Sequence, residues 1–415
     1  MALPASMRAL AHRPFRYYFF GQAVSILGSW IQQVALSWLV YRLTGSAALL
    51  GVTAFAALIP MLVLGPLAGA WLDRRDRRKV LMGVQALLFL QAGALAALTW
   101  LEVITPGLII AMSLLLGALN AVDTPARQSL IGPMVGSKAD LPNALALNAM
   151  LYNLARFIGP PIAGLLLAVT TEAVCFAINA VSYLALLWGV AAMRVPPQAR
   201  AAGSVGHVFR EGIRYAAGTP PVRILIVVLA LVNLTASAYA VLLPVFAKDV
   251  FQGNAQTLGW LWGAAGAGSF VSTLLLATLK TVRQTVNAVL AGVLLSAAAL
   301  LAFSLTREFA VALVAMAALG YGISVTNVGI NTALQTLAPD HLRGRVVSFF
   351  SSTRFGFDAI GGLIAGAVAA VISAPLTLTA EAVLLGMVSI WLAGQAAGLR
   401  RAVTPGKDQR VANPA

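Results

Sequence analysis

The sequence is poor in charged residues and has almost no cysteine. Asp, Glu, Lys and Arg make up 10% of its 415 residues, whereas about a quarter of a soluble domain is charged. The single cysteine, Cys175, excludes a disulfide framework, a cysteine zinc site and an iron–sulfur cluster. The three histidines lie in segments between apolar runs, and no Gly-x-x-x-x-Gly-Lys-Ser/Thr phosphate loop is present. We therefore expect no metal site, no cofactor and no enzymatic chemistry.

What the sequence does contain is apolar. Hydrophobic residues account for 60% of the chain, and the mean hydropathy is +0.87. A chain of this composition has to lie mostly where charge is costly, which is a lipid bilayer. The net charge of +15 comes from short basic clusters between apolar runs, so we interpret it as an orientation signal and predict no nucleic-acid partner.

The apolar runs predict an all-α integral membrane protein with twelve transmembrane helices, since about 20 apolar residues span a bilayer. The predicted spans are 17–41, 48–72, 80–100, 106–126, 144–169, 173–193, 223–247, 256–279, 286–305, 309–334, 347–372 and 376–399. An even number of spans puts both termini on one side. Placing them in the cytoplasm leaves only Arg42, Lys248 and Arg307 as basic residues on the opposite side, as the positive-inside rule requires.

An internal repeat divides the chain into two parts. Residues 156–169 match residues 358–371 at seven of fourteen positions, and residues 46–51 parallel residues 254–259 at a similar offset. We therefore predict two pseudo-symmetric halves of six helices, an architecture that recurs in secondary transporters. The predicted bounds are 1–193 and 223–399 for the halves, 194–222 for a cytoplasmic linker and 400–415 for a cytoplasmic tail.

The loop after the second span carries a motif. Its residues Gly69, Asp73, Arg74, Arg77 and Arg78 resemble the signature Gly-x-x-x-Asp-Arg-x-Gly-Arg-Arg of the major facilitator superfamily. Topology alone would explain the arginines, but it does not explain the spacing between the glycine and the aspartate.

The resemblance implies an inner gate made of these five residues and Asp123. In the superfamily the aspartate of the motif caps the eleventh helix, and the arginine contacts an acidic residue on the fourth, for which Asp123 is the fitting residue. Asp76 replaces the second glycine of the signature, and we expect a left-handed turn there because Asp tolerates that conformation.

Other segments narrow the resemblance to one branch. Residues 123–130, 148–164 and 339–346 are similar to the drug- and siderophore-exporting branch that contains the enterobactin exporter. Gly159, Pro160 and Gly164 also resemble the antiporter signature of the fifth helix. Alanines replace two of that signature's glycines, so helix packing explains the segment as well as export does.

Ionisable residues inside predicted spans are candidates for function because they are costly in a membrane. Asp358 lies near the predicted midplane, with Arg354 one turn earlier on the same helix face. The pair is either a structural ion pair or a site of proton coupling. Arg156 holds the equivalent repeat position and is a candidate for contact with substrate or a counter-charge. Glu381 is interpreted as a satisfied residue nearer the outer face.

Polar residues at helical spacing follow the first, fourth, seventh and tenth spans, which line the central cavity in the superfamily. These predicted cavity residues are Gln22, Ser25, Ser29, Gln32, Asn120, Arg127, Asn233, Ser237, Tyr239, Tyr321, Ser324, Asn327 and Asn331. Hydrogen bonding between helices is the alternative for any one of them. Trp30, Trp38, Trp260 and Trp262 are candidates for stacking on a planar ligand, although packing or interfacial anchoring explains each singly.

Together these features predict a monomeric multi-pass protein of the cell (inner) membrane. It would export a small amphiphilic compound, neutral or weakly charged and of drug or siderophore type, by alternating access and in exchange for protons. Its partners would be this substrate, protons and membrane lipid. An importer or lipid-moving facilitator on the same fold is the alternative, and a non-transporting scaffold or receptor is the alternative from another class.

Overall fold

The computed structural model describes residues 5–72, 74–137, 139–193, 218–279, 281–339 and 342–402. This part of the chain contains twelve long helices, after a short 3-10 turn over Ala5–Ala11. They are α1 Arg13–Thr44, α2 Ala47–Leu72, α3 Arg77–Trp100, α4 Pro106–Val135, α5 Leu141–Val169, α6 Glu172–Ala192, α7 Pro220–Val250, α8 Ala255–Leu276, α9 Val282–Leu305, α10 Phe309–Leu337, α11 Arg343–Ala369 and α12 Ala374–Ala402. Each predicted span falls on one of them.

Eleven of the helices in the described ranges are long and apolar enough to cross a membrane. The twelfth, α11, has 27 residues but lacks the apolar composition, since it carries Arg354 and Asp358 within its length. The chain is thus a multi-pass membrane protein. Residues 194–217 of the predicted linker and 403–415 of the predicted tail lie outside the described residues, so the proposed bounds of the halves stay a prediction.

Helix ends follow local chemistry more than hydropathy. The predicted end of the fourth span at 126 is too early, because α4 continues to Val135 and stops at Gly136, whose φ of 67° suits glycine. Arg127 does not end the helix, because its charge is paired with that of Asp123 on the same helix.

The expected left-handed turn at Asp76 is wrong as well. Asp76 has φ −70° and caps α3, accepting from the backbone N–H groups of Arg78 and Lys79 at 3.0 and 3.2 Å.

The helix contacts repeat with twofold pseudo-symmetry. In the first six helices, α1 packs on α5 and α6, α2 packs on α4, and α3 packs on α4 and α6. In the second six, α7 packs on α11 and α12, α8 packs on α10, and α9 packs on α10 and α12. Two further pairs, α2 with α11 and α5 with α8, join one half to the other. These two crossings determine where a site between the halves can lie.

We call the side at which α1 begins the near side and the opposite side the far side. Glycines make both crossings close, and they lie toward the far side. A Cβ added to Gly259 of α8 would lie 2.9 Å from the Cα of Gly164 of α5, and one added to Gly366 of α11 would lie 2.9 Å from the Cα of Gly51 of α2. These four glycines are the repeated positions that the sequence comparison aligned.

Candidate functional site

Three charged residues meet between the halves at mid-depth. Arg156 lies at the middle of α5 in the first half, and Arg354 and Asp358 flank the middle of α11 in the second. Arg354 interacts electrostatically with Asp358, one turn away, and also with Arg156 across the interface. The Nε atoms of both arginines are buried and donate to no atom of the described chain. The structure therefore places two cations and one carboxylate within electrostatic range of one another.

An aromatic wall lies beside Arg156, and we define it as Trp30 of α1, Tyr239 of α7 and Trp262 of α8. The ring of Trp262 is 5.8 Å from that of Trp30 and 6.1 Å from that of Tyr239, between centroids. The guanidinium carbon of Arg156 lies 6.0 Å from the Trp30 ring centroid, within the range of a cation–π contact. The indole N–H of Trp262 is buried without an acceptor in the described chain. The wall thus joins both halves and presents an unused donor.

The predicted residues of the helix-five signature shape this region by being small. A Cβ on Gly159 would lie 2.6 Å from the Cβ of Trp30, so glycine lets α1 and its tryptophan approach α5. Pro160 is buried, and its carbonyl oxygen would lie 2.6 Å from a Cβ added to Gly259. Gly164 makes the far-side crossing described above. In this structure the three residues pack helices together.

The far side is closed between α1 and α7. Tyr41 near the end of α1 donates a hydrogen bond to the carboxylate of Asp249, and the ammonium of Lys248 lies 5.6 Å from the Tyr41 ring centroid. The last turn of α7, Phe246–Val250, is a π-helix, a form that is rare and concentrated at functional positions. On the near side, a Cβ added to Gly69 of α2 would meet no atom of the described chain within 4 Å.

The predicted inner gate is described in part. Asp73 lies outside the described residues, and Arg74 is exposed. Arg78 donates to the carbonyl oxygens of Val190 and Ala191 at 3.0 and 2.7 Å and so ties α3 to the end of α6. Arg77 is half-buried and engaged by a partner.

Asp123 pairs with Arg127, one turn along α4. Their side chains are buried and lie 2.5 Å apart, and Gln85 of α3 donates to the same carboxylate at 2.5 Å. Tyr18 and Tyr152 lie near enough to the pair to interact electrostatically with it. The spacing of four residues is the sequence signal for this pair, which the assignment of Asp123 to the gate and Arg127 to the cavity does not include.

Most of the predicted cavity residues are hydrogen-bonded inside one half. Gln22 donates to Asn148 at 3.0 Å, Gln32 accepts from Asn179 at 2.7 Å, and Asn233 donates to Asn327 at 3.0 Å. Ser25 is buried, and its backbone carbonyl oxygen accepts a hydrogen bond from the Ser29 hydroxyl, which also lies 3.4 Å from the Tyr183 hydroxyl. The Ser324 hydroxyl donates to the backbone of Ser269, and the Asn331 side chain accepts from Gln335. Asn120 and Tyr321 are half-buried. The side chain of Ser237 lies outside the description. In this structure Gln22, Gln32 and Asn233 connect helices of one half, and Tyr239 forms part of the aromatic wall.

Comparison with known proteins adds to this geometry. The family model described as transmembrane secretion effector matches residues 5–409. The multidrug efflux pump Tap of Mycolicibacterium fortuitum is 30% identical over 398 residues, which cover 91% of this chain and 95% of that protein. The staphyloferrin A transporter of Staphylococcus aureus is 28% identical over 357 residues, covering 84% and 88%. A bacterial homolog of the human lysosomal transporter Spinster, solved in an inward-facing and unoccupied conformation, has a similar fold, with a TM-score of 0.70, 13% identity and coverage of 95% and 99%.

Proposed function

Because the chain belongs to the transmembrane secretion effector family, within the major facilitator superfamily of transporters, we propose that it exports a small amphiphilic compound by alternating access. It is a transporter and not an enzyme. The names of its relatives, a multidrug efflux pump and a siderophore transporter, support export of a drug- or siderophore-like compound.

One observation carries the alternating-access part of the proposal. The two crossings between the halves are matched by symmetry, and each has a close glycine contact on the far side, Gly164 with Gly259 and Gly51 with Gly366. A rocking motion about the middle of these crossings would part the far side and close the near side. The mid-depth cluster of Arg156, Arg354 and Asp358 would then face one side at a time.

We assign the near side to the cytoplasm of the cell (inner) membrane. The basic residues support this assignment, since the far-side connections between helices carry only Arg42, Lys248 and Arg307. In that orientation the closed far side faces outward, and the chain is in a state that would receive substrate from the cytoplasm. We propose that a monomer is sufficient, because both halves of the site come from one chain.

Proton exchange would supply the energy through Asp358. This carboxylate lies at mid-depth beside Arg354, so gain and loss of a proton would change its attraction to that cation. A charge that crosses the membrane is worth about 2.3 kcal/mol per 100 mV, enough for a several-tens-fold gradient of a neutral solute. One proton per cycle would therefore supply enough free energy for the proposed export.

Flux across proteoliposomes tests the proposal. Purified protein would be challenged with dyes, antibiotics and catecholate siderophores under an imposed proton gradient. Asp358→Asn should abolish uphill transport while insertion is retained, and Glu308→Gln, at an exposed far-side carboxylate, is the matched control. Normal uphill transport by Asp358→Asn would overturn the coupling assignment. Flux in the inward direction would favour an importer, and silence with every compound would favour a lipid-moving facilitator or a scaffold.

A further inference from the structure

We propose that the mid-depth site selects compounds with an anionic group of carboxylate type joined to a planar aromatic ring. Arg156, Arg354 and the aromatic wall of Trp30, Tyr239 and Trp262 would form the binding surface. The inference rests on the proposed function only in taking this site as the transport site. It goes further than the sequence, which favoured a neutral or weakly charged compound.

The site carries excess positive charge. Arginine does not lose its proton in proteins, so Arg156 and Arg354 each bring a full positive charge to the interface. The charged groups that act on Arg354 are Asp358, which attracts it, and Arg156, which repels it. One positive charge is left over while Asp358 is ionised. Such a charge is costly inside a membrane protein unless a ligand compensates it.

The two arginines also hold unused hydrogen-bond donors. The buried Nε atoms of Arg156 and Arg354 have no acceptor in the described chain, although buried donors are nearly always satisfied. The guanidinium fork matches the two oxygens of a carboxylate better than any neutral group. Two arginines from opposite halves, near enough to interact electrostatically, offer such forks. A bound carboxylate would satisfy both donors and would also connect the two halves.

The aromatic wall explains why the anion should carry a ring. The Trp30 and Trp262 rings lie 5.8 Å apart at an interplanar angle of 62°, and Arg156 lies over Trp30. A planar ring beside the arginines would stack on these side chains, and the free N–H of Trp262 would reach a polar substituent. Simple inorganic anions would use the charges but not the wall.

Binding of three probes of equal shape tests the inference without any transport. The probes are naphthalene-2-carboxylate, naphthalene-2-carboxamide and naphthalen-2-ylmethylammonium, titrated into the purified full chain in lipid nanodiscs by calorimetry. We expect the carboxylate to bind about tenfold or more tightly than the amide and the ammonium to bind worst, since hydrogen bonds to charged groups are the stronger ones. Equal binding of carboxylate and amide, or binding of none at millimolar concentration, would overturn the proposal.

The variants should change the preference for carboxylate over amide in opposite directions, which would not happen if these residues were merely structural. Arg156→Gln and Arg354→Gln should each reduce the preference for carboxylate over amide toward unity, and Arg156→Lys should keep part of it. Asp358→Asn removes the opposing charge and should increase the preference. Arg307→Gln, at an exposed far-side arginine, is the control and should change nothing.

The outcome is separable from that of the proposed function. Carboxylate preference that follows these variants, in a protein that moves no compound across liposomes, would support the site and overturn export. Proton-driven export of neutral compounds, unaffected by Arg156→Gln and Arg354→Gln, would support export and overturn the anionic site. An anion leaving the cell moves negative charge outward, so the membrane potential would itself favour its export.

Discussion

Replacing Gly366 by alanine should open the far side. The added Cβ would lie 2.6 Å from the carbonyl oxygen of Ala47 and 2.9 Å from the Cα of Gly51, about 1 Å short of van der Waals contact. Both obstacles are backbone atoms, so neither can rotate away and α2 and α11 must separate. Overpacking of this kind costs about 1–3 kcal/mol. The cost falls on the far-side-closed state, because only there do the two helices touch at this point.

The expected shift in the balance between far-side-closed and far-side-open states is therefore about 5- to 150-fold toward the open state. It can be measured by double electron–electron resonance between two spin labels, in a background in which Cys175 is replaced by serine. The labels are attached at Leu43→Cys and Gln252→Cys, which lie at the far side on opposite halves. The distance distribution should move to longer values in Gly366→Ala and, by symmetry, in Gly259→Ala.

Gly93→Ala on α3 is the matched control, because an added Cβ there meets nothing within 4 Å. It should leave the distances unchanged and alter stability by no more than the helix preference of alanine over glycine, about 1 kcal/mol. A distribution that stays the same in both Gly366→Ala and Gly259→Ala would refute the reasoning that the glycine crossings hold the far side shut.

Two further predictions concern side-chain pairs. Arg127→Met removes the cation that pairs with the buried side chain of Asp123 and should destabilise the protein by about 3–5 kcal/mol, seen as a lower midpoint of thermal unfolding. Adding Asp123→Asn should restore much of the loss, and a double variant no more stable than the single one would contradict the assignment. Tyr41→Phe removes the hydrogen bond to Asp249 and should lengthen the same far-side spin-label distances, by less than Gly366→Ala does. Unchanged distances would mean that this bond does not help to close the far side.

The sequence was informative where local spacing decides the structure. The repeats that align Gly164 with Gly366 and Gly51 with Gly259 predicted the two halves, and the structure shows these four residues in contact across the interface. Their smallness allows the helices to cross closely, so the same physical requirement applies in both halves.

The contacts between distant helices were beyond the sequence. Nothing in the spacing showed that Arg354 of α11 approaches Arg156 of α5, because that depends on how the halves cross. The role of the polar stripes was likewise beyond the sequence. Gln22 and Asn233 satisfy neighbours in their own halves, and a period of one helical turn cannot distinguish a cavity from a packed helix face. At Asp76 two local roles competed, and capping of α3 prevailed over a left-handed turn.

The most direct test of the central claim is substrate flux in proteoliposomes of known orientation under an imposed proton gradient, with Asp358→Asn beside the unaltered chain. The account predicts outward, uphill movement of at least one amphiphilic compound that is lost in Asp358→Asn and kept in Glu308→Gln. Uphill movement that survives Asp358→Asn, or movement only in the inward direction, would contradict it.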